Sequence, residues 1–248
     1  MKFRNKKIFI YLLSVILLGG CMGVPIYAYL EKHNVLIWEN NKVEVKKSIT
    51  TKTIKPLNVP LILQKPELMR GCEVTSLAMI LQFVGVQVDK MELAHKLNQE
   101  PFQKNGLNGN MHKGFVGDMY TFDENGLGAY VEPIIELAKK YVSNKKVLNL
   151  SHTEPKHLYE TIDKGLPVWV LSNAKFKELS DDQFLSWNTD AGVMDVTYQQ
   201  HSVVITDYDE NYVYVNDPLR EEKNRRLDRE DFEKAWIQMG RQAMAIAF

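Results

Sequence analysis

The chain has 248 residues, 45% of them hydrophobic and 10% aromatic, enough to bury one sizeable core. Its 31 basic and 31 acidic side chains balance to a formal charge of zero, so no basic field argues for nucleic acid as a partner. Two distant cysteines and six histidines without ligand spacing give no zinc signature, and no glycine-rich phosphate loop is present; no metal or cofactor is expected.

The N-terminus reads as an export or anchoring signal. Lys2, Arg4, Lys6 and Lys7 precede an apolar run from Ile8 to about Leu30, interrupted by Ser14, Gly19, Gly20 and Pro25. Two forms of anchor stay open over residues 1–30. Leu18-Gly19-Gly20-Cys21 resembles a bacterial lipobox, which makes Cys21 a lipidation site. The run stays apolar beyond Cys21, however, and about 20 such residues suffice to span a bilayer uncleaved. Either anchor attaches the chain to a bacterial membrane with its globular part outside. Residues 31–56 are polar and rich in Lys and Thr and read as a stalk, with Val35–Trp38 as a short packed element. Residues 57–248 form the expected domain, taken to be a monomer.

An apolar strand-like run, Val59 to Leu63, ends at Gln64. From Val74 the apolar positions 74, 77, 78, 81 and 84 follow the period of a helix with one buried face, and Gly85 stands where a helix ends. Cys72 opens that helix. Unpaired N–H groups and the helix dipole favour an anion there, so a lowered thiol pKa is expected. Taken alone, Cys72 reads equally as a small buried hydrophobe. With Cys21 in the membrane or lipidated, it is the only thiol of the exported domain, and a lone thiol outside the cell reads as reactive.

Asp89-x-x-Glu92 starts a second helix through Met91, Leu93, Ala94 and Leu97. The segment from Glu100 to Gly128 is rich in Gly and Asn and reads as a long loop, with Phe115 on a lid or cleft wall. Helices are predicted at Pro133–Tyr141 and Pro155–Lys164. Strands are predicted at Val168–Leu171, Val193–Tyr198, His201–Asp207, Tyr212–Asn216 and Ala243–Phe248, with a helix capped by Asp228 running to Met239. Helices first and an antiparallel sheet later argue an α+β fold. The loop Asn173–Gly192 supplies Trp187 as a second cleft residue.

A hairpin turning near Asp209-Glu210 places His201 and Asp217 as cross-strand neighbours at its open end. A cysteine nucleophile needs such a pair: the histidine takes and returns the proton, and the carboxylate fixes the tautomer. Each also has an ordinary reading, a strand-end histidine and a turn before Pro218. Gln64 is placed to donate to an oxyanion together with the Cys72 N–H.

Gln64, Gly71-Cys72-Glu73-Val-Thr-Ser-Leu-Ala-Met, Lys113-Gly-Phe-Val-Gly, Gln200-His201-Ser-Val-Val-Ile-Thr and Val215-Asn-Asp217-Pro-Leu come in that order. Together they resemble the bacterial papain-like cysteine peptidases related to the bacteriocin-leader peptidases, the thirty-ninth cysteine peptidase family, in its stand-alone membrane-tethered branch. The resemblance spans about residues 57–248 and implies a papain-like fold. It makes Cys72 the nucleophile, His201 the base, Asp217 the orienter and Gln64 the oxyanion donor. The transporter-fused members carry Asp-Cys-Gly where this chain has Gly71-Cys72-Glu73, and no ATPase segment is present, so double-glycine leader cleavage does not carry over. The function expected is a cysteine peptidase or amide hydrolase acting on a peptide or protein without cofactor. The alternatives are a catalytically silent module binding peptide or cell-wall material, and an acyltransferase of the same fold.

Overall fold

A computed structural model describes residues 53–248. The anchor of residues 1–30, Cys21, the Val35–Trp38 element and all but the last residues of the stalk lie outside the described residues. Among the described residues no helix is long and apolar enough to cross a membrane. The chain is already tied to the sheet at Lys55, whose N–H donates to the Asp207 carboxylate at 2.8 Å.

The described residues include five α-helices: α1 (Cys72–Phe83), α2 (Lys90–Lys96), α3 (Val131–Ala138), α4 (Pro155–Asp163) and α5 (Arg229–Gln238). Their ends follow local chemistry. The Asp89 carboxylate accepts from Glu92 N–H at 2.8 Å and that of Asp228 from Asp231 N–H at 2.9 Å, so both predicted caps are in place. Gly85, at φ +87°, closes α1 while Val86 N–H returns to the Leu81 carbonyl at 2.9 Å.

Helix α1 differs from the one-faced helix the periodicity predicts. Every residue from Cys72 to Leu81 is buried, because α1 packs on the sheet and on both α2 and α3. Its polar members are therefore bonded locally or to the sheet. Thr75 Oγ1 donates to the Gly71 carbonyl at 2.7 Å, and Ser76 Oγ to the Ser202 carbonyl at 3.1 Å.

Short strands occupy the segment that reads as a loop: β1 (Gln99–Glu100), β2 (Gln103–Lys104), β3 (Leu107–Asn108) and β4 (Phe115–Val116). They pair as parallel β1–β4 and a β2–β3 hairpin. The remaining strands are β5 (Val147–Asn149), β6 (Val168–Asn173), β7 (Leu185–Thr189), β8 (Gly192–Val196), β9 (Gln200–Tyr208), β10 (Tyr212–Asn216), β11 (Arg225–Asp228) and β12 (Ala243–Ile246). β7 and β8 form a separate hairpin. The main sheet has the order β11-β10-β9-β6-β12-β5 and is antiparallel throughout.

Strand alternation divides the core. Trp169, Leu171, Val204, Met244 and Ile246 join the cluster under α1, α2 and α3. Their neighbours Val168, Val170, Val203, Ile205, Ala243 and Ala245 face the opposite way, with Phe232 and Trp236 of α5 and Leu158 and Ile162 of α4. Both faces of β6 are buried, which is why it reads as an unbroken apolar run. Burying each such side chain contributes about 1.5–3 kcal/mol, so the central strands form the most firmly held part of the molecule.

Candidate active site

The side chains read from the sequence as catalytic come from four separate stretches. Gln64 ends the segment entering the domain, Cys72 opens α1, His201 lies at the start of β9, and Asp217 follows β10. The central sheet and the buried α1 bring them together. Trp169 Nε1 on β6 donates to the Glu73 carbonyl at 3.0 Å, fixing the start of α1 over the sheet. Gln64 N–H donates to the Pro218 carbonyl at 3.0 Å, which sets Gln64 beside the end of β10.

His201 and Asp217 meet as expected, by a different register. The turn is closed by Asp209 N–H on the Tyr212 carbonyl at 2.8 Å, and its centre lies one residue later than predicted. Val213 faces Tyr208 and Asn216 faces Val204, with a slip between Tyr214 and Val215. Asp217 thus continues opposite Val203, two residues past His201, and the pair is diagonal. The contact survives: His201 Nε2 lies 2.8 Å from Asp217 Oδ1, with both side chains buried.

Asp217 is fully engaged. Leu219 N–H reaches Oδ1 at 2.9 Å, and the Arg225 guanidinium reaches Oδ2 at 2.8 Å. Burial works to raise its pKa. The His201 bond and charge, the Leu219 N–H and Arg225 outweigh it and hold the carboxyl below its usual value. An ionised Asp217 can only accept, so Nε2 carries the imidazole hydrogen and Nδ1 keeps its lone pair in the neutral ring. Phe176 packs edge-on to His201 at 5.9 Å between centroids, and the Arg225 guanidinium lies 5.2 Å over the Phe176 ring.

Cys72 overturns one expectation. Burial, the neighbouring Glu73 carboxylate and the charge of Asp217 push its thiol well above the ordinary value. The Ser202 N–H works in the other direction and is outweighed. A helix N-terminus lowers a thiol pKa where solvent reaches it; here the dry surroundings and two acidic neighbours win. The thiol donates to Glu73 Oε2 at 3.3 Å rather than to His201. Glu73, 1% exposed, also accepts at Oε1 from Ala129 N–H and Gln200 Nε2, each at 3.0 Å. Burial raises the Glu73 pKa.

Gln64 is 2% exposed. Its Nε2 donates to the carbonyls of Leu68 at 3.3 Å and Met69 at 3.0 Å, while Oε1 has no partner. The amide cast as an oxyanion donor therefore spends its N–H groups on the turn before α1.

The two residues expected on the cleft wall, Phe115 and Trp187, are both buried. Phe115 is fully buried on β4, inside the α1-side core. Trp187 lies on β7, its Nε1 donating to the Gly109 carbonyl at 2.8 Å and its ring meeting Phe102 edge-on at 5.2 Å. Neither offers a face to a substrate. Their segments form small sheets that bury aromatics under the surface. Glu73, Phe176 and Arg225, which complete the site, escape sequence reasoning. Glu73 alone carries a signal, since an acidic side chain at the second position of a largely apolar helix must find a buried partner.

Comparison with known proteins gives one consistent likeness. The family described as "Peptidase_C39 like family" matches residues 56–244. YvpB of Bacillus subtilis (strain 168), an uncharacterised protein, is 45% identical over 210 residues, covering 84% of this chain and 80% of YvpB. The crystal structure of a candidate C39-like peptidase from Bacillus anthracis superposes with a TM-score of 0.77 at 45% identity, over 79% of this chain and 98% of that one. The peptidase domain of Streptococcus ComA, a bi-functional ABC transporter, lies further off, with a TM-score of 0.45 at 17% identity over 76% and 98% of the chains.

Proposed function

The chain belongs to the Peptidase_C39-like family and has its papain-like α+β fold, and from that premise we propose that it is a cysteine peptidase or amide hydrolase using Cys72, His201 and Asp217. The observation that carries this reading is the buried His201–Asp217 pair at 2.8 Å. It fixes one imidazole nitrogen and leaves the other for a proton, one residue from the Ser202 N–H that touches Cys72. Burying a histidine against a carboxylate costs desolvation that ordinary packing does not require.

In this mechanism the raised thiol pKa excludes a standing thiolate. His201 Nδ1 removes the Cys72 proton as Sγ attacks the scissile carbonyl, as a general base. The carbonyl π electrons move onto oxygen. Cys72 N–H, in the first turn of α1 and without an intrahelical acceptor, faces that charge. Gln64 joins it only by releasing the Leu68 or Met69 carbonyl. Collapse expels the amine, which takes the proton from imidazolium, and leaves a thioester on Sγ. Water then attacks, giving its proton to His201; the carboxylic acid departs and the thiol is restored. Asp217 remains ionised throughout and stabilises the imidazolium.

The reading extends to place and substrate. The basic cluster at Lys2–Lys7 and the apolar run after it support a membrane-anchored protein working outside the bacterial cell on peptides or proteins. Incubating the full chain with a peptide library and reading products by mass spectrometry tests the activity. New C-termini that vanish in Cys72→Ala support a hydrolase. Adducts with an added amine indicate an acyltransferase. Binding without turnover indicates the silent module, which the thiol's engagement with Glu73 favours as the second reading. Membrane fractionation of Cys21→Ala separates the anchors, since loss of attachment marks lipid and retention marks a spanning helix.

A further inference from the structure

Glu73 is a buried carboxylate at the reacting atom that the mechanism above does not use. Its Oε2 takes the Cys72 thiol hydrogen at 3.3 Å, and its Oε1 is pinned by Ala129 N–H and Gln200 Nε2 at 3.0 Å each. Gln200 is bonded on to the Ala129 carbonyl at 3.2 Å and is the residue before His201. Gly128 leaves no slack: a Cβ there would lie 2.2 Å from Gln200 Nε2 and 2.7 Å from Glu73 Oε1. The carboxylate is thus clamped between the thiol and the strand that carries the histidine.

Resting on the assignment of Cys72 as nucleophile, we infer that Glu73 is a positioning residue that parks the thiol. In the unliganded protein it holds the Cys72 hydrogen away from His201, and reaction requires the thiol to rotate from Glu73 to the imidazole. The proton then passes from Sγ to His201 Nδ1 and Glu73 neither gains nor loses one, so no co-reactant is needed. The groups around the carboxylate are the Cys72 thiol on its own helix, Ala129 N–H from the loop before α3, and the Gln200 amide of β9. On β6 the indole of Trp169 meets the Glu73 carbonyl. Among the described residues no lysine or arginine pairs with Glu73; the nearby acid is Asp217, which also acts on the thiol. A parked thiol is slow toward oxidants and stray electrophiles, a useful property for an unpaired cysteine outside the cell.

The test needs no substrate. Alkylation of Cys72 by iodoacetamide is followed against pH in the full chain, with the adduct located by mass spectrometry, in wild type, Glu73→Gln and His201→Ala. A glutamine keeps an acceptor for Ala129 and can turn an N–H toward sulfur. The expected result is a downward shift of the alkylation midpoint by about one pH unit or more, with labelling about tenfold faster at neutral pH. An unchanged midpoint in folded Glu73→Gln overturns the inference, as does faster labelling at every pH without a shift, which marks simple loosening. Should Glu73→Gln fail to fold, the wild-type S–H stretch in the infrared decides, isolated by subtracting the Cys72→Ala spectrum. It should move when acid protonates Glu73, and constancy overturns the parking. His201→Ala separates the two ideas: labelling at neutral pH indifferent to His201 undermines the nucleophile assignment, whatever Glu73 does.

Discussion

Asp217 holds His201 through one carboxylate oxygen at 2.8 Å and Arg225 through the other at 2.8 Å, so the imidazole and the guanidinium share one buried anion. Replacing that anion with an amide of equal size removes the charge and keeps the shape. Asp217→Asn should lower kcat/KM by about 10²–10⁴-fold, mostly in kcat, with the circular dichroism spectrum unchanged. An undiminished kcat would remove Asp217 from the mechanism.

Arg225 acts on the same carboxylate through its other oxygen. With Arg225→Gln, Asp217 loses a group that depresses its pKa, so the carboxyl titrates closer to its ordinary value. A carboxyl depressed in the folded state contributes stability above its unfolded pKa, and that stability is lost as pH falls through the folded pKa. The acid limb of the pH–rate profile should therefore move upward in Arg225→Gln, and acid unfolding should begin at higher pH. Lysine at this position should restore part of both effects, because it keeps the charge and loses the fork geometry.

Much of this geometry was legible from residue types and spacing. Caps at Asp89 and Asp228, the glycine closing α1 and the apolar runs of β6 and β9 are local signals, and local signals survive folding. His201 and Asp217 were paired from the hairpin alone, even though the turn centre and the bulge at Tyr214/Val215 changed their register. Side chains spanning two residues along a strand forgive such an error. Arg225 was not legible, because Arg220 to Asp228 reads as a charged solvated run until β11 pairs with β10 and sets Arg225 opposite Val215. The thiol pKa failed for a related reason. A helix dipole can be read from sequence; the dryness around Cys72 and the proximity of Asp217 are products of tertiary packing.

The raised thiol pKa has a consequence for stability. A group whose folded pKa lies above its unfolded value contributes stability that is fully present below the unfolded pKa and is lost as pH rises through the folded pKa. Stability to urea should therefore decline from about pH 8.5 upward, where an unfolded thiol ionises. Cys72→Ala should flatten that decline while leaving the acid side unchanged. Equal slopes in the two proteins would mean that the thiol titrates normally in the folded chain.

Trp187 distinguishes packing from recognition. Trp187→Phe keeps an aromatic ring against Phe102 and removes the hydrogen bond to Gly109. It should cost about 1–2 kcal/mol in denaturant unfolding and leave kcat/KM within about twofold. A raised KM with stability intact would return Trp187 to the substrate.

The most direct measurement concerns the nucleophile and its base. The full-length protein is treated at neutral pH with an electrophilic cysteine-peptidase probe, and labelling is compared among wild type, Cys72→Ala and His201→Ala. Labelling of wild type at Cys72, absent in Cys72→Ala and strongly reduced in folded His201→Ala, is the predicted result. A folded, reduced wild-type protein that takes no label, or one that labels equally well without His201, would contradict the catalytic account.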